Sequence, residues 1–474
     1  MYKIKSKQIR FEDFHQPVGL TMDPNNRWIK KAEMIPWDEI ELRYAELFKN
    51  RNGNVAKPLR LALGACIIQA EYGYSDEETV LQIQEGPYLQ FFCGLPGYTL
   101  GRPFDPSLMV HFRKRLTAEV LGEINEMIIR AAQKSEEDEA DEGKNEDEDP
   151  PENKGTMIID ATCAPANIKY PQDTELLNEA RENAEALIDA LHDPADGKKP
   201  RTYRKAARKA YRKIAKKRHR KAGEIRKTIK QQLQYLRRDL DILDTMMKSG
   251  KELTKKQEDR LAVLRKLYEQ QKYMYDNQTH SVENRIVSIS QPHIRPIVRG
   301  KAKAKVEFGG KMDISVTDGW TRLEHLSFEA YNESTVLPLA IERFKERTGR
   351  YPKKILADKI YRNRENLAYC KERGIRLSGP ALGRPKKNEV RDRYQDYRDE
   401  CDRVEVERKI SLAKRKCGIG LIMTKLPVTA GHSIALSVIV LNLRKVLLRL
   451  FDRLCVFMDF LRFLASGQKS AVVQ

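Results

Sequence analysis

The sequence predicts a mixed α+β chain. A mixed β-sheet flanked by helices forms the core, preceded by a helical N-terminal domain and interrupted after its first strand by a long helical insertion. Three observations carry this. The apolar runs MIID, ending at Asp160, and ILAD, ending at Asp358, have the length and composition of buried strands. The runs KVEFGGKMDISVTDG and RLEHLSFEAYN alternate apolar with polar residues, as antiparallel strands do. Apolar residues at helical spacing fill the segments before, between and after these strands.

In chain order, residues 1–133 read as a compact helical module, with helical spacing in LRLALGACIIQAEYG and LGEINEMIIRAA. In DPSLMVHFRKRL, Asp105 and Ser107 are candidate caps for a helix whose His111, Arg113, Lys114 and Arg115 could meet phosphates. Residues 134–154 are acidic and nearly devoid of apolar side chains, so they cannot offset the entropy of ordering and are expected to be a disordered linker. Residues 155–173 hold the first core strand, and the core resumes over 286–425. Its second half alternates strand and helix: KKILADKIY a buried strand, RENLAYCKERG a helix, IRLSG another strand.

The insertion, residues 174–285, is basic and helical. From Arg201 to Lys221 cationic pairs recur every four residues, among them Arg204/Lys205, Arg208/Lys209 and Arg212/Lys213, which on one helix makes a cationic rod suited to a phosphate backbone. Beyond it, Ile225, Ile229, Leu233, Leu236, Leu240, Leu243 and Met247 form a coiled-coil seam. A capping box at Thr254 and Gln257 starts a second helix, so an antiparallel hairpin is expected to bury that seam. Residues 426–474 form a C-terminal helical segment. Its run SIALSVIVLNL is cut by Arg444 and Lys445 and reads as a buried helix too short for a bilayer.

Lysine and arginine number 88 against 68 acidic residues, a net +20 that favours a polyanionic partner, nucleic acid first. None of the seven cysteines falls in a C-x-x-C pair, which argues against a zinc knuckle or a disulfide framework and for reduced thiols. The N-terminus lacks the apolar core of a signal peptide, so a cytoplasmic, nucleoid-associated protein without membrane contact is expected.

Carboxylates held on two strands and a helix can converge on one point, and converging carboxylates bind Mg²⁺ for two-metal phosphoryl transfer. Asp160, Asp358 and Glu407 are the three candidates, as catalytic residues and metal ligands. Arg403, Glu407 and Lys414 are spaced by four and seven residues. At about 100° per residue they fall within about 40° on one helix face, a carboxylate flanked by two cations. Tyr361 and Arg362 follow Asp358 closely enough to point into the same cleft and contact substrate. Asp313 and Asp318 also border strands and read as structural, Asp318 because DG is a turn dipeptide.

These features together resemble the bacterial insertion-sequence transposases of the DDE class. The family signature Y-x2-R-x3-E-x6-K aligns with Arg403, Glu407 and Lys414, with Glu400 at the tyrosine position. DATCAPANIKYPQD around Asp160, ADKIYRNRENLAYCKERGIRLSGPALGRP around Asp358, and QPHIRPIVRGKAKAKVEFG resemble other family motifs. The resemblance implies an RNase H-like catalytic core in which Asp160, Asp358 and Glu407 hold Mg²⁺, two ions by expectation, replaceable by Mn²⁺. It implies water-driven cleavage at transposon ends followed by attack of the freed 3′-OH on target DNA, with Arg403 and Lys414 positioning the end. The implied partners are double-stranded DNA, as terminal inverted repeats and target, and a second protomer in a dimer or larger synaptic complex. Two alternatives stand beside this: an RNase H-like nuclease without strand transfer, and a catalytically inactive transposase-derived DNA-binding protein.

Overall fold

The computed structural model describes residues 1–4, 8–49, 53–140, 153–298, 306–379, 382–383 and 392–467, with backbone only for 135–140, 196 and 449–467. The chain divides into two compact units. The first comprises Met1–Pro165, Lys311–Ser327 and Tyr331–Gln474; the second comprises Ala166–Gly310 and Phe328–Ala330.

Unit 1 begins with seven helices: α1 (Arg27–Met34), α2 (Trp37–Ala45), α3 (Leu59–Tyr72), α4 (Asp76–Glu85), α5 (Pro87–Phe92), α6 (Leu108–Arg115) and α7 (Ala118–Ala140). Helix α3 is buried from Leu59 to Ile68, so it is the axis of this module rather than an amphipathic surface helix. Ser75 caps α4 by accepting from Glu78 N at 3.1 Å. Helix α7 continues to Ala140, so the first residues of the expected linker are helical: Glu and Ala are good helix formers, and the helix carries them past its apolar face. Residues 141–152 lie outside the described residues, and the last two of the expected linker are ordered, Asn153 Nδ2 donating to Arg373 O at 2.8 Å and Lys154 N to Tyr351 O at 3.1 Å.

Strand β1 (Thr156–Pro165) opens the sheet, and the chain then enters unit 2. There α8 (Asp173–Leu191), α9 (Arg204–Ala215), α10 (Ala222–Lys248) and α11 (Lys255–Asp276) fold before β2 (Arg295–Val298), which pairs antiparallel with the start of β3 (Val306–Thr317). Thr254 and Gln257 form the anticipated capping box. Two expectations change. The cationic rod is broken, since α9 ends at Ala215 and α10 starts at Ala222. The seam of α10 is buried not in a two-helix hairpin but among three helices, with Leu177 and Ile188 of α8, Leu236 and Leu243 of α10, and Leu264 and Leu267 of α11 in one core. Each such leucine contributes about 1.5–3 kcal/mol relative to exposure.

Back in unit 1, β3 turns through Asp318 and Gly319 into β4 (Trp320–Ser327). Both turn residues have positive φ, 52° and 73°, as the two-residue I′ hairpin requires. Then come α12 (Leu337–Thr348), β5 (Lys354–Ala357), a 3₁₀ turn (Lys359–Tyr361), α13 (Arg364–Glu372), β6 (Arg376–Leu377), α14 (Arg393–Lys416) and α15 (Pro427–Gly467). The sheet is mixed: β3 lies beside β1, β1 pairs parallel with β5, and β5 pairs parallel with β6.

Helix α15 packs against α7, α3, α6 and β4, so the N-terminal helices share a unit with the sheet. By length and composition Pro427–Leu448 would suffice to cross a bilayer, contrary to the estimate from sequence, but 67% of its most apolar window is buried inside the protein. Polar contacts fix it there. Asn442 exchanges hydrogen bonds with the Thr321 backbone at 2.8 and 2.9 Å and donates to Asn125 at 2.8 Å. His432 Nδ1 lies 2.6 Å from Leu116 O.

Candidate active site

The two strands that carry aspartates are in parallel register, Ile158 beside Leu356 and Ile159 beside Ala357. Asp160 and Asp358 are the residues that follow this last paired step. Side-chain alternation fixes the face. Met157 and Ile159 of β1 and Ile355 and Ala357 of β5 pack with Leu337, Ile341 and Phe344 of α12 and Cys370 of α13. Residues one position away, Asp160 and Asp358 included, therefore belong to the opposite face. Lys354 is on that face and reaches Asp399 and Asp402 of α14, at 3.4 and 3.1 Å.

Asp358 does end its strand, where its carboxylate accepts from Lys359 N at 2.6 Å and opens the 3₁₀ turn. Asp160 does not end its strand: β1 continues to Pro165, and Asp160 is its fifth residue. What stops there is the pairing with β5, while β3 supports β1 on its other side. Asp160 Oδ1 accepts from Ala161 N at 2.8 Å.

Helix α14 packs on β1 and β5. Its early turns meet the starts of β5 and β6, Asp399 pairing with Arg376 at 2.6 Å, and just beyond its end Ile422 N donates to Pro165 O at 2.8 Å. The helix thus runs alongside both aspartate strands in their own direction, and Glu407 lies along this course. Val406, Lys409 and Ala413 are buried, whereas Glu407 is half-exposed and accepts from Arg403 Nη1 at 3.0 Å. Glu400, at the signature's tyrosine position, also faces Arg403, 3.9 Å away. An open cleft of about 520 Å³ on the same sheet face is lined by Thr156, Ile158, Val316, Asp402, Glu405 and Arg408, and not by Asp160, Asp358, Arg403 or Glu407.

Among the described residues no three His, Cys, Asp or Glu side chains are close enough together to hold a metal. The donor chemistry fits a hard divalent cation, since two carboxylates stand on neighbouring strands and a third on the helix covering them, all oxygen. Glu407 is held by Arg403 instead of joining the pair.

Several expected DNA contacts have internal partners. Tyr361 is fully buried and donates to Asp313 Oδ1 at 2.6 Å, so it is not at the substrate surface. Arg362 donates to Leu377 O and Ser378 O at 2.6 and 3.1 Å, closing the end of β6. Arg113 is buried in a two-pronged pair with Asp76 at 2.6 and 2.7 Å rather than offered to phosphates. Arg204 is held by Asp189 at 2.7 and 3.0 Å. Lys205, Arg208, Lys209, Arg212 and Lys213 of α9 are exposed.

Asp313 takes the structural place expected of it. It is a fully buried carboxylate within β3, and it accepts from the hydroxyls of both Tyr361 and Tyr331. Burial pushes its pKa up to about 6, against the lowering effect of the two hydroxyl donors.

Residues 355–444, from the strand of Asp358 through the helix of Glu407 into α15, match the family described as transposase DDE domain. Residues 20–115, the N-terminal helices, match the transposase domain (DUF772). An uncharacterized protein, ORF8 in the nfe locus of Rhizobium meliloti, is 28% identical over 163 residues, which cover 34% of this chain and 73% of that protein. No solved structure matches. With a transposase domain matched on its N-terminal helices and a transposase DDE domain matched on the segment bearing Asp358 and Glu407, the two matches indicate an insertion-sequence DDE transposase.

Proposed function

We propose that this transposase cleaves the phosphodiester at each end of its element and joins the freed 3′-OH to target DNA, using Asp160, Asp358 and Glu407 on an RNase H-like core. The observation that supports the reading is the parallel register of β1 and β5, whose last paired step, Ile159 beside Ala357, immediately precedes the two aspartates. A divalent ion, Mg²⁺ or in its place Mn²⁺, would supply activation of the attacking oxygen and charge neutralisation at the leaving one.

The chain's own residues then divide the work. Asp160 and Asp358 are fixed by strand backbone, which holds two ligands in place with little reorganisation. Glu407 is a side chain on a helix surface and is kept from wandering by Arg403 at 3.0 Å. A phosphate arriving beside Glu407 would compete for that guanidinium, so Arg403 could pass to the DNA as Glu407 turns toward the aspartates. Lys414, on the same helix face, contributes a second positive charge along the path of the backbone. The exposed cations of α9 add affinity that is indifferent to sequence.

The experiment is a joining assay on DNA carrying the inverted repeats that flank the gene, with Mg²⁺ and with Glu407→Gln as the comparison. Metal-dependent cleavage and joining, both lost in the variant, support transposition. Cleavage without joining supports a nuclease instead, and binding without cleavage an inactive descendant.

A further inference from the structure

The 3₁₀ turn that begins at Asp358 is tied to the sheet by the Tyr361 side chain. Tyr361 N donates to Asp358 O at 3.0 Å, closing the turn, and the Tyr361 carbonyl accepts from Asn366 Nδ2 at 2.8 Å. The Tyr361 ring then runs inward, where its hydroxyl meets Asp313 on β3 at 2.6 Å. β3 is the strand beside β1, and the negative charge of Asp160 is among those acting on the Tyr361 hydroxyl. One phenol thus ties the turn of Asp358 on β5 to the strand flanking Asp160.

Asp313 is itself held from the other side. Its second oxygen accepts from Tyr331, and Lys311, on the same strand, donates to the Tyr331 carbonyl at 2.8 Å and pairs with Glu333 at 2.9 Å. A fully buried carboxylate is costly unless its oxygens are hydrogen-bonded, and here both are. An apolar residue would fill the same place without that cost, so the arrangement points to orientation rather than stability.

Resting on the assignment of Asp160 and Asp358 as metal ligands, we propose that Asp313 is a positioning residue: acting through the Tyr361 hydroxyl, it sets the Asp358 carboxylate at the spacing from Asp160 that a divalent ion requires. Partners behind a ligand set its orientation, and their loss costs about 10–100-fold in metal affinity.

The test is Mn²⁺ binding to the full chain without DNA, followed by electron paramagnetic resonance, for wild type, Asp160→Asn, Asp313→Asn, Tyr361→Phe and the double variant Asp313→Asn/Tyr361→Phe. The Mg²⁺ dependence of cleavage and the thermal midpoint are measured alongside. Tyr361→Phe removes one oxygen and Asp313→Asn preserves shape, so both should fold. The expected result is metal affinity about tenfold weaker in each single variant and no weaker in the double. The Mg²⁺ concentration for half-maximal cleavage should rise while the saturated rate changes little.

Wild-type affinity in both single variants overturns the positioning role and leaves the metal site standing, provided Asp160→Asn loses Mn²⁺. An additive loss in the double variant also overturns it, since the two residues would then not act as one unit. Unchanged binding in Asp160→Asn overturns the ligand assignment itself.

Discussion

Helix α9 offers a prediction in which paired and unpaired cations should behave differently. Lys205, Arg208, Lys209 and Arg212 are exposed, and at about 100° per residue they lie within an arc of about 100°, opposite buried Ala207 and Ile214. From Lys205 to Arg212 the helix rises about 10 Å, enough to follow about three phosphates of one strand. Each neutralised phosphate adds about 0.9 to the slope of log affinity against log salt, so converting all four residues to Gln should reduce that slope by about 3. A fourfold rise in salt then costs the wild type about 50-fold more affinity than the variant. Arg204→Gln is the control. Its guanidinium is already neutralised by Asp189, so the slope should change by less than about one unit. The assay is fluorescence anisotropy on a duplex of unrelated sequence, titrated with KCl. An unchanged slope in the fourfold variant, or an equal effect from Arg204→Gln, would refute the role given to α9.

Three further outcomes follow from buried charge. Burial outweighs the hydrogen bond to the Leu116 carbonyl and lowers the His432 pKa to about 4, so the fold keeps this imidazole neutral while the unfolded chain takes up a proton. Its contribution is complete above about pH 6.5 and is lost as pH falls toward 4, by about 3 kcal/mol in all; His432→Gln should therefore reduce the difference in urea midpoint between pH 7 and pH 5. Asp239 runs the other way. Burial, with Glu185 nearby, raises its pKa to about 7, and among the described residues neither carboxylate oxygen has a hydrogen-bond partner, so the fold loses stability as pH rises from about 4 to 7. Asp239→Asn should raise the thermal midpoint at pH 8 and barely alter it at pH 5; equal effects at both would contradict this. Arg113→Met should destabilise by about 2–3 kcal/mol, because it strands the partly buried Asp76 carboxylate, while leaving DNA affinity intact. A loss of DNA binding at unchanged stability would restore the phosphate contact expected from sequence.

Local pattern carried the parts of the fold that local pattern determines. The runs MIID and ILAD became neighbouring parallel strands, DG at 318–319 became a I′ turn, and Thr254 with Gln257 became a capping box. Asp358 was legible because a strand end and a turn are both local. Asp160 was placed less well, since the strand runs on through ATCAP and only the pairing partner ends. Residues whose role depends on a distant partner were not legible. Nothing near Tyr361 reveals that its hydroxyl turns inward to Asp313, and nothing near Arg204 or Arg113 announces Asp189 or Asp76. The seam of α10 has the same limit: a heptad specifies the buried face, but not that α8 as well as α11 covers it. The spacing that puts Arg403 and Glu407 on one helix face is seen as an ion pair, whereas where Glu407 stands relative to the aspartates depends on how α14 lies on the sheet, which its own sequence does not set.

The central claim is that three carboxylates share one metal-dependent reaction. It is tested most directly by measuring Mg²⁺-dependent cleavage of inverted-repeat DNA, with DNA affinity in parallel, for Asp160→Asn, Asp358→Asn and Glu407→Gln. Each exchange removes a ligand charge at constant shape, so each should abolish cleavage while affinity stays within about twofold of wild type. Cleavage at the wild-type rate by any one of the three would remove that residue from the site and contradict the account.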